Sequence, residues 1–201
     1  KHEMEKRNLK TELSLLKSQL QPHFLFNAMN NLYALSLEKS SKTSEGIAKI
    51  SELLSSVLYE CNEAEITLEK EIKLIGNFID LEKMRYGSRL KLDFEVIGTV
   101  EKMKIAPMLL FAFIENCFKH GTSNDSENPF IKIKLEVAGN SIIFNCENSK
   151  PSQNQNIKEN TKGGIGLMNV KKRLDIIYHD KYNLNITDEK SKFIVWLRIT
   201  K

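Results

Sequence analysis

Apolar residues recur at helical spacing through the first 86 residues, and the period changes after Gly87. Leu13, Leu20, Phe24, Ala28, Asn31 and Leu35 step by seven, four or three, which lines up one helical face. No glycine precedes Gly46, and Pro22 is the only proline before Gly87, so little interrupts the helical pattern. Ser40, Ser41, Thr43 and Ser44 mark a break. A second helix is predicted from about Gly46 to Tyr59, with Ile47, Ile50, Leu53 or Leu54, Val57 and Leu58 turned inward. Thr67 suits the N-cap of a third helix, with Glu69 and Glu71 near its positive end. That helix turns Leu74, Phe78 and Leu81 inward and stops near Tyr86-Gly87.

Beyond Gly87, Leu90, Leu92, Phe94 and Val96 alternate with mostly polar residues and predict a strand. Ile105 to Lys119 reads as a strongly apolar helix with Pro107 in its first turn. Ile131–Val137 and Ser141–Cys146 read as strands of a hairpin turning at Ala138-Gly139-Asn140. Residues 149 to 164 are rich in Ser, Asn, Gln, Lys and Gly and predict a mobile loop. A helix over Ile165–Tyr178 and strands at Leu184–Thr187 and Phe193–Ile199 complete the chain. Helices first and a mixed module second predict an α+β protein with a boundary near Gly87: a helical domain over 1–87 and an α/β sandwich over 88–201.

Composition narrows the function classes. The 201 residues are 41% hydrophobic and 28% charged, an ordinary globular balance. The net charge of +4 is spread along the chain and forms no basic tract, which argues against direct nucleic-acid binding. Cys61, Cys117 and Cys146 lack metal-site or disulfide-frame spacing and read as reduced thiols. No apolar run approaches the ~18–20 residues that span a bilayer. The polar, charged start reads as the continuation of a longer helix, so an upstream segment is expected, and with it any membrane anchor.

Three stretches of the second half carry candidate chemistry. Glu115-Asn116-Cys117-Phe118-Lys119-His120-Gly121 closes an apolar helix, and Asn116 and Lys119 share a face at i, i+3. An amide oxygen can ligate Mg²⁺, and an ammonium can meet a phosphate. Lys162-Gly163-Gly164-Ile165-Gly166-Leu167 opens a helix, where glycines allow backbone N–H groups to approach an anion. No Walker Lys-Ser/Thr follows, and no strand leads directly in, so neither a P-loop nor a Rossmann fingerprint fits. The strand Ile142–Cys146 runs into Glu147-Asn148-Ser149. By strand parity Asn148 shares the face of Ile142, Phe144 and Cys146, whereas Asn145 and Glu147 point the other way. Each stretch also has a plain reading: a polar helix end, a glycine turn, a turn residue.

Together and in this order the three resemble the N, G1 and G2 boxes of the GHKL (Bergerat) ATP-binding fold. The resemblance implies that Asn116 binds Mg²⁺, Lys119 binds phosphate, Asn148 reads the adenine amino group, and Gly164 and Gly166 flank the phosphates. It extends the cofactor-binding set to His120, Leu167 and Asn169 and makes the polar stretch to 163 an ATP lid. The family's adenine reader is an Asp in a D-x-G pattern; here the strand ends Glu-Asn-Ser, so a register using Glu147 stays open beside Asn148.

The first half adds Gln21-Pro22-His23-Phe24-Leu25-Phe26-Asn27. Pro22 deletes a helical hydrogen bond and favours a kink. His23 follows at the flank of the Leu20–Phe24–Ala28 stripe, with Gln19 and Asn27 one turn either side. The alternative is an ordinary helix histidine at a packing boundary. The stretch resembles the phosphoacceptor motif of LytS-type sensor histidine kinases, and further matches run through Glu69-Lys70-Glu71-Ile72, Glu82-Lys83-Met84-Arg85-Tyr86, Ile105-Ala106-Pro107-Met108 and Gly164-Ile165-Gly166-Leu167-Met168-Asn169. The resemblance implies a kinase core that phosphorylates His23 from Mg-ATP and passes the phosphoryl group to an Asp of a response regulator receiver domain, often of LytTR type. Asn27 takes the position where other kinases help dephosphorylate the regulator. Phe24 stands where many kinases place an acid, so no general base is assigned. The unpaired apolar faces of the first helices predict a homodimer through a four-helix bundle. The competing readings are a degenerate GHKL module acting through helix contacts, and an ATPase. Against the ATPase, Ala112 occupies the position one turn before Asn116, where a carboxylate would be needed.

Overall fold

The structure is a computed structural model that describes residues 29–30, 33–34, 36–37, 43–60, 63–121, 129–150 and 165–201. Its elements run α1 (Thr43–Glu60), β1 (Ile66–Thr67), α2 (Leu68–Tyr86), a 3₁₀ turn (Gly87–Arg89), β2 (Lys91–Ile97), β3 (Lys104–Ile105), α3 (Leu109–Gly121), β4 (Phe130–Ala138), β5 (Ser141–Ser149), α4 (Ile165–Tyr178), a 3₁₀ turn (His179–Lys181), β6 (Tyr182–Asp188) and β7 (Lys192–Thr200).

Five strands form one mixed sheet in the order β2-β4-β5-β7-β6, with β2 parallel to β4 and the other neighbours antiparallel. The β4–β5 hairpin turns at Gly139-Asn140, where Gly139 at φ +57° supplies the positive φ that a two-residue turn needs. Alternation decides what each strand buries. Ile131, Ile133 and Leu135 of β4, Ile142, Phe144 and Cys146 of β5, and Val195, Leu197 and Ile199 of β7 are all buried. Their neighbours Lys132, Lys134, Asn145 and Arg198 are exposed on the other face. α2, α3 and α4 contribute Leu74, Phe78, Phe111, Phe113, Val170 and Leu174 to the same core. Phe78 meets Phe111 and Phe118 edge-on at 5.1 and 5.2 Å between ring centres.

The predicted caps of α2 are present. Thr67 accepts from the Lys70 amide, and Gly87 ends the helix with its N–H on the Lys83 carbonyl. Gly87 marks the change from helix to strand, but packing continues across it. The short β1 strand before α2 pairs with β3, so Ile66 sits opposite Ile105, and Leu68 donates to the Met103 carbonyl. α2 is thus built into the sheet module.

Three local expectations are corrected. Ile105 lies in β3, and the apolar helix starts at Leu109, after Pro107 and a left-handed Met108 (φ +55°). Strand β5 runs to Ser149 instead of stopping at Cys146, because its partner β7 pairs with it as far as Lys192. Ile47 is 49% exposed, whereas Ile50 and Leu53 on α1 are buried. The described part of the chain offers α1 one side of cover, and Ile47 faces away from it.

Candidate functional site

α3 is apolar almost all round. Leu109, Leu110, Phe113, Ile114 and Cys117 have no exposed surface, as suits a helix wedged between a sheet and two other helices. Glu115 and Asn116 are the first half-exposed positions on it, and Lys119 is exposed one turn beyond Asn116. The core fixes this end of the helix, and the polar face is what remains. His120 lies on the same last turn.

β5 brings the second group alongside. The Cys117 and Cys146 thiols touch at 2.7 Å in the core, so α3 and β5 are in contact beside both polar groups. Both cysteines are free, and burial, then the neighbouring Cys117, pushes the Cys146 thiol well above its usual value. Two residues along β5, Asn148 is fully buried on the face of Phe144 and Cys146. Its Nδ2 donates to the Ser149 carbonyl at 2.8 Å, while its Oδ1 is buried with no donor among the described residues. Glu147 points away, to an ion pair with Lys192 at 3.5 Å. The two registers left open at the strand end therefore differ physically: Asn148 faces the core and Glu147 the opposite side.

Gly121 and Ser149 complete this corner, and neither carries a role in the sequence reading. A Cβ on Gly121 would lie 2.7 Å from the Asn148 Cβ and 2.9 Å from its Nδ2, so only glycine admits the asparagine there. The Ser149 hydroxyl donates to the Gly121 carbonyl at 3.1 Å and accepts from the Phe130 amide at 3.0 Å. It ties the end of α3 to the start of β4. The sequence signal for Gly121 was its place at the close of the Glu-Asn box; Ser149, within a polar run, gave none.

α4 supplies the third group. Gly166 is exposed on its first turn, while Leu167 and Asn169 are buried. The loop predicted from residue 149 begins later. Ser149 is paired in β5, and Lys150 is held by the Ser191 carbonyl and by Asp188. Gly164, with the phosphoacceptor candidates Gln19, His23 and Asn27, lies outside the described residues. Donor chemistry rather than volume picks out the site. Cavities of about 460 and 480 Å³ are lined by residues such as Lys104 and Lys201, or Leu92 and Lys132, none of them a site residue.

Residues 11–90 match the histidine kinase family and residues 103–200 match the GHKL domain family. The Sensor protein LytS of Streptococcus agalactiae is 26% identical over 94% of this chain and 34% of its own length. The chain joins a histidine kinase segment to a GHKL domain and belongs with the histidine kinases. Sensor histidine kinase BtsS of Escherichia coli is 27% identical over 91% of this chain and 32% of its own. The chain thus spans about a third of the length of these curated relatives. Among solved structures, the catalytic domain of histidine kinase ThkA aligns over 68% of this chain and 95% of its own, at 16% identity and a TM-score of 0.49.

The two family segments meet between residues 90 and 103, yet α2, inside the histidine kinase segment, packs in the core of the GHKL segment. Sequence families here divide the chain where the packing does not. The Oδ1 of Asn148, buried with no donor among the described residues, suits a nucleotide: the exocyclic amine of adenine is a donor, and a buried acceptor left unmet costs about 1–3 kcal/mol. The residues present fit ATP at that point, and Asn116 and Lys119 offer an oxygen and an ammonium one turn apart on the same helix.

Proposed function

We propose that this chain is the catalytic core of a sensor kinase that transfers the γ-phosphoryl group of ATP to His23 and then to an aspartate of a response regulator. The observation that carries the nucleotide part is the Asn148 Oδ1 at the end of β5, a buried acceptor with no donor among the described residues of a GHKL domain. Asn148 accepts from the adenine amine, Lys119 draws the phosphates to the end of α3, and the backbone at Gly164 and Gly166 receives them at the start of α4. His120, Leu167 and Asn169 complete the wall. Mg²⁺ held by Asn116 offsets phosphate charge when bound.

A ring nitrogen of His23 attacks the γ-phosphorus, ADP leaves, and the ring proton passes to solvent. Gln19 and Asn27 orient the imidazole. The neutral imidazole is the nucleophile. The active unit is a homodimer through the first helices, the response regulator carries a LytTR DNA-binding domain beside its receiver domain, and the chain is the cytoplasmic portion of a membrane sensor. Among the described residues no helix is long and apolar enough to cross a membrane.

Incubation of the full chain with γ-labelled ATP and Mg²⁺ tests the reading. Acid-labile, alkali-stable label that is absent from His23→Gln is expected. Label that persists in the variant would overturn His23 as acceptor. A second reading, a module with weak nucleotide binding, draws on the neutral Asn148 and on Ser149-Lys150 standing where the family places a glycine. No detectable ATP binding by the unmodified chain would favour it.

A further inference from the structure

Glu71 has no role in the site as described, yet it is the most deeply enclosed acid of the described residues, with no exposed surface. Its position near the start of α2 suggested service to that helix's own dipole. Instead its carboxylate reaches α3. Oε2 accepts from the Met108 amide at 2.8 Å, and Oε1 accepts from Leu110 at 3.0 Å and Phe111 at 3.1 Å. These are N-terminal amides of α3 that the helix cannot satisfy itself, and Met108 has no side-chain acceptor to cap them. The three bonds also hold Met108 in its left-handed conformation, which costs a non-glycine residue about 1–2 kcal/mol.

α4 closes the same junction from the other side. Arg173, 1% exposed, donates to the Pro107 carbonyl at 2.6 Å, and the Tyr178 hydroxyl accepts from the Ala106 amide at 2.8 Å. The turn 106–108 is therefore gripped by Glu71 of α2 and by Arg173 and Tyr178 of α4. One end of α3 is held here, and its other end carries Asn116 and Lys119. α4 opens on Gly166, Leu167 and Asn169 and reaches the junction two turns later.

We infer that Glu71 and Arg173 are positioning residues for the nucleotide site: they fix α3 and α4 at one spacing through the 106–108 turn. The inference rests on the nucleotide reading. A side chain that only filled space here would not tie two phosphate-facing helices to the third helix. Because α2 belongs to the histidine kinase segment, the junction also joins that segment to the nucleotide site.

Charge gives the test its discrimination. Burial raises the Glu71 carboxyl to about 7, against the pull of its backbone donors and of Arg173. The charged and titratable groups facing it are Arg173 and the Tyr178 hydroxyl, which burial pushes up to about 12 and so stays neutral here. The ionised carboxylate is the stronger acceptor for three amides. Holding is therefore tightest above neutrality.

The experiment measures Mg-ADP binding to the full chain and to Glu71→Gln from about pH 5.5 to about pH 8.5. The ratio of the two constants cancels the titration of the nucleotide itself. A ratio near one at low pH, rising to about tenfold near pH 8, is expected, within the usual range of coupling between separate sites. Arg173→Met is expected to weaken Mg-ADP binding about as much. The unmodified chain supplies a measure that survives misfolding of either variant: by linkage, saturating Mg-ADP lowers the Glu71 midpoint in a ¹³C-carboxyl titration by about one unit. A pH-flat ratio with an unmoved midpoint would overturn the inference alone. No Mg-ADP binding by the unmodified chain at any pH would sink the nucleotide reading and the inference with it.

Discussion

α1 and the sheet module behind it solve burial in opposite ways. In the module, every layer meets another: α3 lies against the five-stranded sheet, α2 and α4 pack against α3, and their apolar residues join a single core. Among the described residues, α1 has one side covered. Ile50 and Leu53 reach that core, while Ile47 and Tyr59 stay exposed. Its further ties among the described residues include polar ones, Lys49 to Asp80 at 2.7 Å and Asn77 to Glu52 at 3.0 Å. Exposed pairs of this kind contribute little. Among the described residues the module buries its apolar surface on itself, whereas α1 keeps a side that they leave uncovered.

Phe144→Ala is the largest blow to the module side of this contrast. Phe144 is 1% exposed and faces the Phe113 ring at 6.0 Å. Truncating such a ring costs about 3–5 kcal/mol. Calorimetry of the full chain is expected to show the main transition falling by many degrees. A shift of only a degree or two would mean that the module does not share one core.

The acid dependence comes next, and its sign is opposite to the usual carboxylate. Glu71 has an ordinary value of 4.5 unfolded and about 7 folded. The folded chain therefore holds the proton more tightly between those values. Its contribution to stability is fully present below about pH 4.5, is lost as pH rises through 7, and is constant beyond. At about 1.4 kcal/mol per unit the span is at most about 3–4 kcal/mol. Glu71→Gln is expected to remove that slope, read as the difference between two denaturant midpoints at each pH. An identical slope in both proteins would assign it elsewhere. Stability and nucleotide affinity move in opposite directions with this one proton, because burying the charge costs stability while the charge holds α3.

These two residues also show where the sequence was legible. Phe144 was readable from alternation along its strand, and the same parity placed Asn148 inward and Glu147 outward before any contact was known. Helix α4 and both caps of α2 were equally local, set by a glycine, a threonine and a period. Glu71 was not readable. It obeys a local rule, an acid in the first turn of a helix, but its acceptor atoms serve amides 37 to 40 residues away. The start of α3 failed for the same reason: Pro107 is a common first-turn residue, and only the long-range cap at 108–111 moves the boundary to Leu109. Gly121 lay between, since its motif was plain but the need for glycine came from Asn148 on another element.

Gly121→Ala isolates that need and carries a smaller effect. The added methyl meets the Asn148 Cβ at 2.7 Å and its Nδ2 at 2.9 Å, so the asparagine or the end of α3 must move. Overpacking of this size costs about 1–3 kcal/mol. The fold is expected to survive with a lowered midpoint, and ATP binding is expected to fall more than the stability does. Unchanged ATP affinity would show that the Asn148 side chain is not part of the nucleotide site.

The smallest effect belongs to α1 and tests the other half of the comparison. Ile47 is 49% exposed and contributes little to the module, so Ile47→Ser is expected to shift the unfolding midpoint of dilute protein by no more than about 0.5 kcal/mol. Ile50, one turn along and 3% exposed, behaves as a core residue, and Ile50→Ala costs about 2–5 kcal/mol. The two substitutions separate cleanly in a second measurement. If the bare side of α1 is where a second copy packs, Ile47→Ser shifts the monomer–dimer equilibrium in sedimentation toward monomer while its dilute midpoint stays put. If Ile47→Ser lowers the midpoint as much as Ile50→Ala and leaves sedimentation unchanged, both faces of α1 are buried within one chain, and the contrast between α1 and the module disappears.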